Sequence, residues 1–159
     1  MCDFILMEFI IYNLLYAPSR GNIHTLKGEK TLKSQKYGIE IEFTGLTRYM
    51  AAKKAAEFFK TKSEHIGGSY DKYHIKDGEG RTWKIVSDGS ITPQKKEKGE
   101  IVPANDTYKV ELVSPILNYN DIELLQELVR KLRKAGMFVN KSCGLHLHID
   151  GANPHTFKS

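Results

Sequence analysis

The stretch Tyr37-Gly-Ile-Glu-Ile-Glu-Phe43 decides how this chain of 159 residues folds. Its isoleucines and Phe43 alternate with Glu40 and Glu42. Successive side chains of a strand point to opposite faces, so the alternation predicts a strand with one apolar face and one acidic face. Carboxylates crowded on one face repel one another unless a cation lies among them. The acidic face is therefore the first candidate for a functional site.

Four further stretches are predicted to be strands. Tyr70–Lys76 and Arg81–Ser87 form a hairpin, because the intervening Asp77–Gly80 is rich in turn-forming residues. Tyr108–Ser114 and Leu145–Asp150 each show the alternation of a half-buried strand. These strands give the chain enough segments for one sheet.

Two amphipathic helices complete the predicted elements. The first runs over 48–60 with Thr47 as its N-cap, and the second over 121–135, with Asn120 and Glu123 as a capping box. Each helix has a single apolar stripe, which must be buried against another apolar surface. We therefore predict an α+β fold with a mainly antiparallel sheet, helices packed on one face and a polar cleft on the other.

The composition is that of a globular protein, with 40% apolar and 27% charged residues. The net charge of +5 would suit anionic partners, but the run Lys95-Lys-Glu-Lys98 is predicted to be a solvated loop. Without a basic stripe interleaved with aromatics, nucleic acid is not an expected partner. Cys2 and Cys143 are expected to be reduced thiols, which favours a cytoplasmic location.

Residues 1–34 are predicted to be an apolar leader followed by a polar linker, and the folded domain is expected over residues 35–159. The apolar part, 4–16, is interrupted by Glu8 and Asn13. It is also shorter than the roughly 20 residues that a membrane-spanning helix needs. A membrane is therefore not an expected partner either.

Two histidines are further candidates for the functional site. His146 and His148 share the polar face of their strand, as Glu40 and Glu42 share theirs. Either pair alone is typical of a solvated strand face. If the sheet brings them together, they make an oxygen-rich set with one or two nitrogens, which Mg²⁺ or Mn²⁺ prefers.

Three other positions admit two interpretations each. Glu111 either extends the acidic cluster or pairs, on an exposed edge, with Lys109 or a neighbouring lysine. Asp88-Gly-Ser90 is either a functional strand end or a simple turn. Cys143 lies beside the predicted site, and a packing or incidental role is favoured over that of a nucleophile because no residue spacing indicates an activating partner.

Taken together, these segments resemble the amidoligase family of the carboxylate–amine ligase superfamily, which also contains glutamine synthetase and γ-glutamylcysteine ligase. The matching stretches are Tyr37-Gly-Ile-Glu-Ile-Glu-Phe43, Trp83 followed by Asp88-Gly-Ser90, Val110-Glu-Leu-Val-Ser-Pro-Ile116 and Val139-Asn-Lys-Ser-Cys-Gly-Leu-His-Leu-His-Ile149. Their order and spacing are specific. The resemblance implies a fold like half of a glutamine-synthetase-type catalytic domain, over residues 35–159.

The same resemblance implies a reaction and its cofactors. ATP, with two or more Mg²⁺ (or Mn²⁺) ions, phosphorylates a carboxylate, and an amine then attacks the acyl phosphate to give an amide. The resemblance implies metal ligation by Glu40, Glu42 and His146, with His146 also facing the nucleotide. The residues grouped as catalytic candidates are Glu111, His148, Asp88 and Ser90.

The family pattern continues beyond the histidine strand, so a C-terminal half or an oligomeric partner is expected to complete the domain. The expected substrates are small-molecule or peptide carboxylates and amines. Two alternatives stay open. One is a hydrolase in which His146, His148 and a glutamate hold zinc, and the other is a non-catalytic fragment of an amidoligase.

Overall fold

The computed structural model describes residues 35–150. The predicted leader and linker, residues 1–34, lie outside the described residues, as do residues 151–159. The strands are β1 (Tyr37–Phe43), β2 (Ser63–Gly67), β3 (Lys72–Lys76), β4 (Thr82–Val86), β5 (Gln94–Glu97), β6 (Glu100–Pro103), β7 (Val110–Val113) and β8 (Leu145–Ile149). The helices are α1 (Arg48–Phe59) and α2 (Ile122–Lys134).

Six of the strands form one antiparallel sheet in the order β2-β3-β4-β7-β1-β8, and β5 pairs with β6 separately. The inward side chains of the sheet and the apolar stripes of both helices form a single buried cluster. Ile41 on β1, Leu112 on β7 and Leu125 on α2 are fully buried within it. The predicted α+β fold, with both helices on one face, is confirmed.

The N-terminal capping of α1 follows the prediction; α2 begins within one residue of its predicted start, but its capping differs from the prediction. The Thr47 side chain accepts a hydrogen bond from the Met50 amide at 3.2 Å, as an N-cap should. The predicted box of Asn120 and Glu123 is wrong. Asp121 instead accepts from the Asn118 amide at 2.8 Å across a 3₁₀ turn, because a long-range guanidinium contact orients the Asp121 carboxylate.

That guanidinium belongs to Arg81, which ties the β3–β4 hairpin to the start of α2. Its Nη1 and Nη2 donate to Asp121 at 2.9 and 3.0 Å, and its Nε donates to Asp77 at 2.8 Å. The Asp77 carboxylate also accepts from Nε1 of the fully buried Trp83 at 3.0 Å. Trp83 is thus a core residue with a satisfied ring nitrogen, and the hairpin that precedes Asp88 is firmly held.

The basic run at 95–98 is exposed from Lys96 to Lys98, as predicted, but it forms part of a hairpin and not the predicted loop. Gln94–Glu97 pairs with Glu100–Pro103 through a two-residue turn. In that turn Lys98 and Gly99 both have positive φ, 50° and 89°, which is the conformation that a tight hairpin requires. The short and exposed strand β2 was also missed, because it lacks an apolar alternation.

No helix within residues 35–150 combines the length and the apolar character needed to cross a membrane.

Candidate functional site

The candidate site lies on the sheet face opposite the helices. Glu40 is in register with His146 on β8, and Glu42 is in register with Glu111 on β7. Residues directly opposite each other on antiparallel strands project from the same face, so the polar sides of these strands meet. Three strands therefore bring together groups that lie up to 106 residues apart in the chain.

The first group of possible ligands combines Glu40, Glu111 and His146. One ligand atom from each lies within 4.8 Å of the others. Nδ1 of His146 is 3.3 Å from Oε2 of Glu40, and Nε2 of His148 is 3.4 Å from the same oxygen. His148 therefore borders the group through Glu40 and is not a member of it.

The second group combines Glu42, Asp88 and Glu111, again with ligand atoms within 4.8 Å of one another. The Glu42 side chain is buried, and its Oε2 accepts a hydrogen bond from the Gly144 amide at 2.7 Å. A Cβ at Gly144 would lie only 3.4 Å from this oxygen. This amide was missed by sequence reasoning, although a glycine directly before the histidine strand is a signal of close backbone approach.

Asp88 is both the start of a turn and a member of the site, so its two interpretations hold together. The amide and the Oγ of Ser90 donate to its Oδ1 at 2.7 and 2.6 Å. These hydrogen bonds favour the carboxylate and hold the pKa of Asp88 below its ordinary value. Ser90, grouped with Asp88 among the catalytic candidates, thus orients the Asp88 carboxylate.

Glu111 lies at the centre of the cluster and belongs to both groups. Burial, reinforced by the charges of Glu40, Asp88 and Glu42, raises its pKa to about 7. Pairing with Lys109 is ruled out as the explanation of Glu111, because the Lys109 ammonium lies 3.1 Å from Asp106 instead. An acidic cluster whose central carboxyl resists ionisation is one that a divalent cation would stabilise.

An apolar groove of about 360 Å³ adjoins the cluster at Glu40 and His148. Its lining includes the continuous segment Val113, Ser114, Pro115 and Ile116. Gly38 also lines the groove and has no side chain. A Cβ at this position would lie 4.0 Å from its nearest neighbour, the Cβ of His148. Sequence reasoning missed this groove, because its walls come from segments that only the sheet register brings together.

Cys143 is half-buried beside the site. Burial raises the pKa of its thiol, and Sγ lies 3.6 Å from Oδ1 of Asn140. A raised pKa leaves less thiolate at neutral pH, so the thiol is not activated as a nucleophile. The predicted packing role agrees with this environment.

Comparison with known proteins gives one match. A family model described as "putative amidoligase enzyme" matches residues 33–159. That range includes all the strands and helices described above and every residue of the candidate site. No curated protein and no solved structure matches the chain.

Proposed function

The chain belongs to the amidoligase family, and from this premise we propose that its acidic sheet face catalyses ATP-dependent formation of an amide from a carboxylate and an amine. One observation carries the proposal. Four carboxylates and one imidazole from four separate segments converge in two overlapping ligand groups. The four carboxylates and the imidazole belong to Glu40, Glu42, Asp88, Glu111 and His146.

The donor set of the cluster fits Mg²⁺ or Mn²⁺. One group offers two carboxylates and one imidazole, and the other offers three carboxylates, which is the oxygen-rich chemistry these ions prefer. Glu40, Glu111 and His146 would hold one ion, and Glu42, Asp88 and Glu111 the other. Bound cations would shield the charges of the phosphates and of the substrate carboxylate.

The proposed reaction has two steps. A carboxylate oxygen of the acid substrate attacks the γ-phosphorus of ATP, the bond to the bridging oxygen breaks, and ADP leaves. The amine nitrogen then attacks the acyl carbon, the bond from carbon to the phosphate oxygen breaks, and the nitrogen loses a proton as inorganic phosphate leaves. Neither step needs a protein nucleophile, which agrees with the inactive environment of Cys143.

We place an organic substrate, either a small molecule or a peptide, in the groove beside Glu40 and His148. Glu40 both lines the groove and belongs to the first ligand group. His148 lies between the two, with Nε2 3.4 Å from Glu40, and is positioned to accept the proton released by the amine. Its neutral imidazole is the form that can do so.

The partner prediction concerns β8, which carries His146. Within residues 35–150 this strand pairs on one side only, with β1. The other side leaves backbone groups for another strand to pair with. We propose that a further C-terminal segment or a second chain pairs there.

A zinc hydrolase is less well supported than the ligase. Zinc sites favour several nitrogen or sulfur ligands. The described ligand groups contain one histidine between them, since His148 contacts Glu40 without joining either group.

Calorimetric titration with a non-hydrolysable ATP analogue, with and without Mg²⁺, tests the proposal. We expect binding that requires Mg²⁺ and weakens roughly tenfold or more in Glu42→Gln, because a ligand charge is lost. Glu100→Gln, which removes one exposed carboxylate from β6, is the matched control and should bind like the wild type. Retention of zinc without nucleotide binding would favour the hydrolase, and absence of both would favour a non-catalytic protein.

A further inference from the structure

The sheet face that carries the acidic cluster continues past it towards β3. Glu40 is in register with Val113, Val113 with Lys84 on β4, and Lys84 with His74 on β3. Neighbouring strands lie about 4.8 Å apart, so the Lys84 backbone is roughly 10 Å from that of Glu40. The strand register therefore places Lys84, a cationic residue, two strands away from Glu40 of the proposed cation site, on the same face of the sheet.

Lys84 is half-buried, and its side chain makes no ion pair or hydrogen bond with any residue in the 35–150 range. Its neighbour across the strands on the site side is the apolar Val113, so no carboxylate of the cluster lies directly opposite Lys84 in the sheet. Lys76, on the same face, differs in this respect, because its Nζ donates to Oγ1 of Thr82 at 2.6 Å. Among the described residues, Lys84 is thus a cation without an ion-pair partner, on the same sheet face as a site that would handle polyphosphate.

His74 supplies a second observation at the same place. Its Nε2 is buried and has no hydrogen-bond partner within the described part of the chain. Such an atom in a folded protein points to a missing partner. His74 lies directly opposite Lys84, whose ammonium has three donor hydrogens.

We propose that Lys84 binds the terminal phosphates of the nucleotide when the cations of the acidic cluster hold that nucleotide. The inference rests on the proposed function and adds a phosphate-binding residue to it. A lysine binds phosphate as a point charge on a flexible four-carbon stem, which suits a ligand bridging two strands. The chain lacks a glycine-rich phosphate loop, so a side-chain cation would give the protein a direct contact to phosphate in addition to the bound metal ions.

His74 acts in this arrangement as a positioning residue. One hydrogen of the Lys84 ammonium is donated to Nε2 of His74, and the others are donated to phosphate oxygens. This pairing satisfies the buried ring nitrogen and holds the ammonium over the strand. Loss of His74 should therefore weaken phosphate binding only while Lys84 is present.

Calorimetric titration of the full chain tests the inference, with Mg²⁺ present and with the ATP analogue or tripolyphosphate as ligand. Lys84→Met should weaken binding of both ligands roughly tenfold or more, because a charged hydrogen bond is lost. Lys84→Arg should restore most of the affinity. Lys76→Met is the control matched in charge and sheet face and should bind like the wild type.

Two further measurements distinguish failure of this inference from failure of the proposed function. Mn²⁺ affinity without nucleotide should be unchanged in Lys84→Met, and His74→Phe should weaken binding in the wild type and not in Lys84→Met. If the wild type binds the analogue and Lys84→Met binds it equally well, the inference is wrong and the proposed function stands. Loss confined to the ATP analogue, with tripolyphosphate unaffected, would also overturn it. If the wild type binds no nucleotide, the proposed function fails and the inference fails with it.

Discussion

Glu111 is the residue on which both ligand groups depend, since its carboxylate belongs to each of them. Its position follows from the register of β7 with β1, where it lies directly opposite Glu42. Asp88 reaches it from the end of β4. The negative charge gathered there is not balanced by the neighbouring imidazole, because the pKa of Glu111 remains raised in spite of His146.

This raised pKa predicts a pH-dependent stability in metal-free protein. As pH rises above about 4.5, the unfolded chain loses the Glu111 proton first, whereas the folded chain keeps it until about pH 7. The free energy of unfolding should therefore fall across that window, on the order of 1–2 kcal/mol after allowance for solvent screening. Urea unfolding in a chelator should show the fall in the wild type and a smaller one in Glu111→Gln. Equal slopes in the two proteins would contradict the assigned electrostatics.

At the scale of elements, strand periodicity was enough to predict which side chains share the site face. The alternation in Tyr37–Phe43 and in Leu145–Ile149 places acids and imidazoles away from the core, and the structure agrees. The contact of Asp88 with this cluster could not be predicted in the same way. It depends on the β4–β7 pairing, and pairing partners are not encoded in local periodicity.

The N-terminal cap of α2 and the β5–β6 hairpin also show which features a local stretch of sequence can and cannot predict. The structure caps this helix with Asn118 and Asp121, and not with the predicted pair. That outcome depends on Arg81, which lies 40 residues from Asp121 in the chain. The β5–β6 hairpin did have a local signal, the turn at Lys98-Gly99, which the charge of the run obscured. The turn could therefore be predicted from local sequence, whereas the long-range ion pair could not.

The turn between β1 and α1 gives a prediction at this scale. Gly45 has φ +88°, and a Cβ there would lie 2.3 Å from the Gly136 carbonyl oxygen and 2.5 Å from Cδ1 of Phe138. Gly99 has nearly the same φ, +89°, with nothing within 4 Å of its Cβ position.

Alanine at these two glycines separates backbone strain from steric overlap. Gly99→Ala should cost about 1–2 kcal/mol from the left-handed backbone alone. Gly45→Ala should cost clearly more, since backbone atoms must also move apart. Chemical denaturation measures both, and equal costs would mean that the turn after β1 is not packed as described.

At the scale of the whole molecule, the helices and the site occupy opposite faces of one sheet. Packing of α1 and α2 buries one side, which leaves the strands to present charged groups on the other without disturbing the core. The site thus depends on the register of β1 with both β7 and β8. Its two ligand groups should behave as one unit, because they share Glu111.

Counting bound Mn²⁺ by electron paramagnetic resonance, with the ATP analogue present, tests this central claim most directly. The account predicts one ion for each ligand group in the wild type and in the Glu100→Gln control. In Glu111→Gln the affinity for both ions should fall, because the shared carboxylate is lost from each group. Unchanged Mn²⁺ binding in Glu111→Gln, or no binding above that of unfolded protein in the wild type, would contradict it.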